Sequence, residues 1–271
     1  MKVLLTPRIE GFGGSRWLKP LASTRMLAGL ALVFLASAAW AQAAAPAAQA
    51  SVPSVLIKWA PLIFQGFLFN LLVSVGTMAL GTVLGVFLGL AQVSPYAPLR
   101  RAAWAVTQFF RNAPWLVLLF YAMLILPFQI GPIALPSWLK AIIGLSLPVM
   151  GNIAEIVRGG VLSIPSGQWE SAEALAFTRR QTMWLIVLPQ AVKRMIPPWM
   201  NQYAILTMAT TLISIVGIQD GLTMTRAALV AEARTDILVP MYLMLLMMFF
   251  IYCYPIARAT LSLERRFAVK I

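Results

Sequence analysis

The chain has 271 residues, 61% hydrophobic and only 11% charged, with a mean hydropathy of +0.84. Soluble domains carry roughly a quarter charged residues, so polar groups here are too few to face water and lipid must cover the rest. Histidine is absent and Cys253 is the only cysteine, which excludes disulfide frameworks, zinc sites and Cys/His nucleophiles.

The first element follows five basic residues, Lys2, Arg8, Arg16, Lys19 and Arg25. An apolar stretch from Met26 to about Ala39 comes next, then Ala39-Trp40-Ala41 and Ala/Gln/Pro-rich sequence to about Ala50. This is the three-part pattern of a secretory signal. A retained helix is the second reading, since Met26 to Ala45 is about 20 residues, enough to span. Both readings keep the basic start inside and put Ser51 outside the membrane.

Five further apolar runs follow in order, near Pro61–Val93, up to Phe128, about Ser137–Ile156, about Pro198–Ile218 and about Ile237–Leu261. Each is long enough to cross about 30 Å of hydrocarbon as helix. Charge tests the orientation. Eleven basic residues fall on inner loops, among them Arg100, Arg101, Arg158, Arg179, Arg180, Lys193 and Arg194, and four (Lys58, Lys140, Arg226, Arg234) on outer ones. The excess inside fits an outside start and an inside C-terminus. The expected fold is therefore all-α, a polytopic transmembrane bundle of five core spans plus an N-terminal signal or extra helix. The +13 net charge sits in short clusters between spans. Nucleic acid would need a basic stripe on one soluble face, so lipid is the expected partner and nucleic acid is not.

The first core span carries Gly81, Gly85 and Gly89, a stripe spaced by four that lets another helix approach closely, within the chain or across a dimer seam. The second is expected to start at an Asn112 cap with Pro114 in its first turn. Between spans three and four, about residues 158–197 form a loop too polar to span and too patterned to be disordered. Gly159-Gly160 and Pro165-Ser166-Gly167 break the chain there. A short helix runs from about Gln168 to Leu175 and displays Ser171, Ala172, Ala174 and Ala176. Thr178-Arg179-Arg180-Gln181 is a capping box that starts a second helix, expected to stop near Pro189.

Candidate pathway residues are the polar ones costly to bury in lipid: Asn152 and Glu155 in the third span, Asn201 and Gln202 in the fourth, then Thr210 and Thr211. Each has a structural reading beside it. Glu155 is three residues before Arg158 and pairs with it equally well. Asn201 and Gln202 follow Pro197-Pro198 and suit a helix start. The threonines suit helix–helix contact.

The loop resembles the EAA loop of ABC importer permeases. Glu170, Ala172, Ala176, Ile186, Leu188 and Pro189 fall at the spacing of that motif, with Ser171 in place of its second-position Ala and Ala176 in place of its Gly. Arg111-Asn112-Ala113-Pro114-Trp115-Leu116-Val117, Ala154–Gly160 and Thr210–Ser214 are similar to the branch that carries histidine, glutamine, glutamate, arginine and opines. Leu118, Met208-Ala209 and Gln219-Asp220 depart from that branch by losing or changing polar groups. The resemblance covers about residues 60–268 and implies an ABC permease domain over 51–271, after a leader or first helix over 1–50. It implies a bacterial inner-membrane location, no catalytic residue and no metal. Its partners would be a cytoplasmic ABC ATPase, a second permease subunit (identical or not) and a periplasmic substrate-binding protein. Glu170, Ser171, Ala172, Ala176, Ile186, Leu188 and Pro189 would couple to the ATPase. The chain has no Gly-x-x-x-x-Gly-Lys-Ser/Thr, so ATP and Mg would belong to the partner and this chain would bind no cofactor. An ion-coupled carrier is the alternative, and it would show internal repeats and broken midplane helices.

Overall fold

The computed structural model describes residues 24–43, 50–127, 129–130 and 133–267. Phe128 and the Gly131-Pro132 part of the expected loop lie outside the described residues. Helices dominate because the apolar runs lack the turn chemistry that would break them and because lipid offers backbone groups no partner.

Helix α1 (Thr24–Ala43) lies against α2 and α10, with Phe34 packed on their shared core. Helix α2 (Val52–Gln92) is longer than the first expected span and begins nine residues before Pro61. Its 41 residues amount to about 61 Å, twice the hydrocarbon thickness. The added turns are held by tertiary burial. Val52, Val55, Leu56 and Ile63 pack against Ile237, Met241 and Leu245 of the α10 region.

Helix α3 (Ala97–Asn112) and α4 (Trp115–Ile125) replace the single second span, and they meet at 103°. Asn112 does not cap α4. It is the last residue of α3, and its Nδ2 donates to the Gln108 carbonyl at 2.7 Å. The break comes from Pro114, which has no N–H and holds Ala113 extended at φ −75°, ψ 138°. A two-residue ladder, β1 (Gln129–Ile130) with β2 (Ile133–Ala134), leads to α5 (Ser137–Leu162).

Helix α5 is the central element, covered by α2, α3, α4 and α8. It runs straight through Gly159-Gly160, where a chain break was expected. Gly160 is buried against Met195, so it gives a close contact rather than a turn. The α2–α5 seam is built on the glycine stripe. A Cβ on Gly81, Gly85 or Gly89 would come within 2.6 Å of Val149, Ile153 or Val157, respectively. The stripe is filled from within the chain.

After α6 (Ser166–Ala174) and α7 (Arg179–Gln181) come a π-helical turn (Thr182–Val187), α8 (Leu188–Ala209) and a 3-10 segment (Thr210–Val216). All junctions from Gln181 to Thr210 keep helical φ/ψ, so residues 179–216 form one continuous rod. The rod ends at Gly217, φ +79°, a left-handed position that suits glycine. Helix α9 (Gly221–Glu232), not anticipated from the sequence, follows at 52° to the rod, and α10 (Leu238–Phe267) closes the fold. Among the described residues, α2, α5 and α10 are long and apolar enough to cross a membrane by themselves, and the count reaches five if each bent pair is one span.

Candidate functional site

The segment between α5 and α8 is a docked helical hairpin. Pro165 precedes α6, and Trp169 and Ala172 turn inward. Trp169 packs on the cluster of Val161, Ile164, Val187 and Ala191, while Ala172 is 1% exposed. Ala172 is therefore a packing residue, not part of the displayed surface that its small size suggested. The displayed side carries Glu170, Ser171, Glu173, Ala174 and Ala176.

The turn after α6 is a Schellman motif. The Phe177 amide donates to the Ala172 carbonyl (3.0 Å) and the Ala176 amide to the Glu173 carbonyl (2.9 Å). This puts Ala176 at φ +58°, a conformation that costs a Cβ-bearing residue about 1 kcal/mol. The chain makes the same turn that a glycine would, under strain.

The capping box forms: Gln181 N donates to Thr178 Oγ1 at 3.3 Å, and Thr178 N to Gln181 Oε1 at 2.8 Å. The second helix does not stop at Pro189. The π turn shifts the register so that the Leu188 amide reaches back five residues to Met183, and the chain passes the proline without breaking. Pro197 and Pro198 lie inside α8 as well. Ile186 and Leu188 are half-buried and Pro189 is exposed. Gln190 bonds Gln168 across the hairpin (3.1 Å), and the Arg194 guanidinium donates to the Ser163 carbonyl. The hairpin and the rod are thus fastened at the N-terminal end of α6.

Among the described residues, no hydrogen bond or ion pair joins any two of the six candidate pathway residues. Glu155 lies between two cations, paired with Arg158 and 3.8 Å from Arg111. Asn152 is half-buried and Asn201 exposed. Gln202 is 7% exposed and its Nε2 has no partner. Because α8 begins at Leu188, neither Asn201 nor Gln202 stands at a helix start. Thr211 Oγ1 returns to its own helix, to the Met208 carbonyl.

Thr210 belongs to a node that the sequence reading missed. Asn70, half-way along α2, donates through Nδ2 to Thr210 Oγ1 and to Asp220 Oδ2, both at 3.2 Å. Its Oδ1 accepts the Gly221 amide at 2.9 Å. Asp220 caps α9, with Oδ1 accepting from the Thr223 amide and hydroxyl, each at 2.8 Å. Asn70, Thr210 and Asp220 are all fully buried. A second string, Ser74–Tyr203–Tyr252, links α2, α8 and α10 through hydroxyl contacts of 3.3 and 2.8 Å. Residues 70, 74, 77 and 81 share one α2 face at helical spacing, a signal visible in the sequence. Among the described residues, no three Cys, Asp or Glu side chains gather as a metal site would need.

At the opposite end from the hairpin, Lys58 Nζ and Trp59 Nε1 both donate to Glu232 Oε1 at 2.7 Å. Arg234 pairs with Asp236 (Nε to Oδ1, 3.0 Å) and donates to the Ala50 carbonyl at 2.6 Å. The Arg234 guanidinium holds the Asp236 carboxyl below the usual carboxylate range.

The EAA-like spacing falls on α6 and the first turns of the rod, between α5 and α8. Residues 81–269 match the family described as binding-protein-dependent transport system inner membrane component. The chain belongs to this family. Over 258 residues it is 31% identical to the glutamate/glutamine/aspartate/asparagine transport system permease protein BztC of Rhodobacter capsulatus, covering 92% of this chain and 58% of that one. Over 184 residues it is 31% identical to the inner membrane amino-acid ABC transporter permease protein YhdY of Escherichia coli, covering 68% and 50%. The chain thus spans about half the length of each of these relatives. Its fold is similar to a chain in the crystal structure of an amino acid ABC transporter with histidines, with a TM-score of 0.71 and 22% identity over 80% of this chain and 99% of that one.

Proposed function

We propose that this chain is a pathway-forming permease subunit of an ABC importer for an amino acid or close analogue, held in a bacterial inner membrane. The observation that carries the reading is the hairpin: α6 exposes Glu170 and Ser171 while Trp169 and Ala172 fasten it to a rod that runs unbroken to Val216. A push on α6 is then transmitted as rigid-body motion along α8. ATP and Mg belong to a cytoplasmic ATPase that docks on α6, and a periplasmic binding protein delivers substrate at the opposite end. A second permease subunit, identical or not, completes the pathway.

In this reading there are five core spans with an outside start, the bent pairs counting once each, and the hairpin lies on the cytoplasmic side; the excess of basic residues on that side supports it. The names of BztC and YhdY support amino acids as the substrate class. Glu155, held between Arg111 and Arg158, is assigned to an ion-pair network near the hairpin rather than to substrate. Asn201 and Gln202 remain proposed pathway groups, because Gln202 is buried with an unused donor.

The test is co-purification and transport with the ATPase encoded beside this subunit. Glu170→Lys should release the ATPase and stop transport. Normal transport with the ATPase still bound would overturn the coupling assignment.

A further inference from the structure

At the hairpin end, a cavity of about 490 Å³ opens where three elements converge. Helix α3 contributes Arg100, Arg101 and Trp104, α5 contributes Arg158 and Leu162, and the hairpin contributes Arg179. Among the described residues, no carboxylate lies within 4.0 Å of Arg100, Arg101 or Arg179, and Arg158 alone is neutralised, by Glu155. Glu173 lines a neighbouring cavity with Arg179 without pairing to it. The concavity therefore holds an uncompensated positive charge contributed by separate parts of the chain.

A buried polar group adds a second, independent observation. Gln92 lines the same cavity and is 3% exposed. Its Nε2 donates to Thr107 Oγ1 at 2.8 Å, and its Oε1 has no partner. A buried acceptor without a donor is costly unless something supplies one. The rim is apolar, with Trp104 55% and Leu162 63% exposed, as suits an element bordering acyl chains and headgroups.

We propose that this cavity is a binding site for the headgroup of an anionic phospholipid, with the phosphodiester held by Arg100, Arg101 and Arg179 and a headgroup hydroxyl donated to Gln92 Oε1. Guanidinium groups bind phosphate oxygens through paired N–H donors, and basic pockets between helices on the cytoplasmic side suit such headgroups. Isolated topology charges would each meet the headgroup plane singly. Here they line one cavity that joins α3 to the hairpin, so the lipid would brace the element that receives the ATPase. The site rests on the inside orientation proposed above, but its binding test requires neither the ATPase nor transport.

The full chain, delipidated and placed in phosphatidylcholine nanodiscs with a minor share of phosphatidylglycerol, should retain phosphatidylglycerol preferentially when read by native mass spectrometry. Arg101→Gln and Arg179→Gln should each lower that preference about fivefold, and together about 25-fold. Arg226→Gln, at an exposed position of α9, should leave it unchanged. Both hairpin-end positions are exposed, and an unchanged elution volume and melting midpoint confirm that the variants fold. Equal retention in wild type and the double variant, or an equal loss in Arg226→Gln, overturns the site. Full displacement of the lipid by excess inorganic phosphate or Mg-ATP overturns the lipid assignment in favour of a soluble phosphate ligand.

Discussion

The hairpin and the Asn70–Thr210–Asp220 node are both polar structures in an apolar protein, yet they are made in opposite ways. The hairpin is assembled from residues within about 40 positions, and each device in it is local: a Schellman turn, a capping box, a π turn ahead of a proline. The node joins α2 to residues 140 to 151 positions away. In the hairpin, Glu170, Ser171 and Glu173 are exposed and face outward, where a partner can meet them. In the node they are consumed by one another, which fixes where α9 starts against α2. Gly66 adds to that constraint, since a Cβ there would come within 2.7 Å of the Asp220 backbone. Exposed polar groups in such a chain point to partners, while buried ones first have to be discounted as structure.

The comparison breaks most decisively at Glu170. Glu170→Lys should lower ATPase affinity about tenfold or more, as like-charge contacts at interfaces do, while the melting midpoint stays put because the side chain is exposed. A fall in stability with the ATPase still bound would make Glu170 a structural residue instead.

Asn70→Leu tests the node with the reverse signature. It strips three hydrogen bonds, leaves the Gly221 amide unpaired and removes a donor from a buried carboxylate, at about 2–4 kcal/mol. Thermal unfolding in detergent should show this loss, and Thr210→Val, which removes the bond from Asn70 and the hydroxyl's own bond to the Thr207 carbonyl, should cost about 1–2 kcal/mol. A double-mutant cycle with Asp220→Asn should give strong coupling. Additive losses would mean the three residues are not a unit.

Gly85→Val probes the seam between the regions. Its branched side chain would meet Ile153 and the Met150 carbonyl, and overpacking of this kind costs about 1–3 kcal/mol. The loss should appear in the monomeric chain as fully as in a dimer, because the stripe is filled from within.

Ala176→Gly should raise hairpin stability by about 1 kcal/mol, by relieving the left-handed strain. Slower amide exchange at Phe177 is the readout, and an unchanged rate would place the strain elsewhere.

The smallest effect is at the opposite end. Arg234 lowers the Asp236 pKa in the folded chain. Its contribution is therefore complete above the ordinary carboxylate pKa and is lost as pH falls through the depressed one. Wild type and Asp236→Asn should differ in unfolding free energy by under about 1 kcal/mol at neutral pH and converge in acid. A gap that widens in acid would reverse the assignment.

Helical class, the EAA-like spacing and the Thr178–Gln181 box were legible because each depends on composition or on residues a few positions apart. The prolines were only half legible. Pro114 does stand at the start of α4, but with α3 before it that start is also a 103° break, while Pro189 suggested a stop and is carried through by a π turn. A missing N–H is a local fact, but whether the helix ends there depends on what holds the chain on both sides. Glu155 was legible as a charge at the inner end of α5, and only the fold brought Arg111 beside it.

Sequence alone determined that this chain lies in lipid, that it is helical and that a short helix and the Thr178–Gln181 box follow the third span, since hydropathy and local spacing do not depend on the rest of the fold. Tertiary structure decided that the glycine stripe seats α5, that Ala172 faces inward, and that Asn70 secures Asp220 while Gln202 stays unpaired. Those outcomes depend on which distant side chain arrives at each buried polar or vacant position, and only the packed chain sets that.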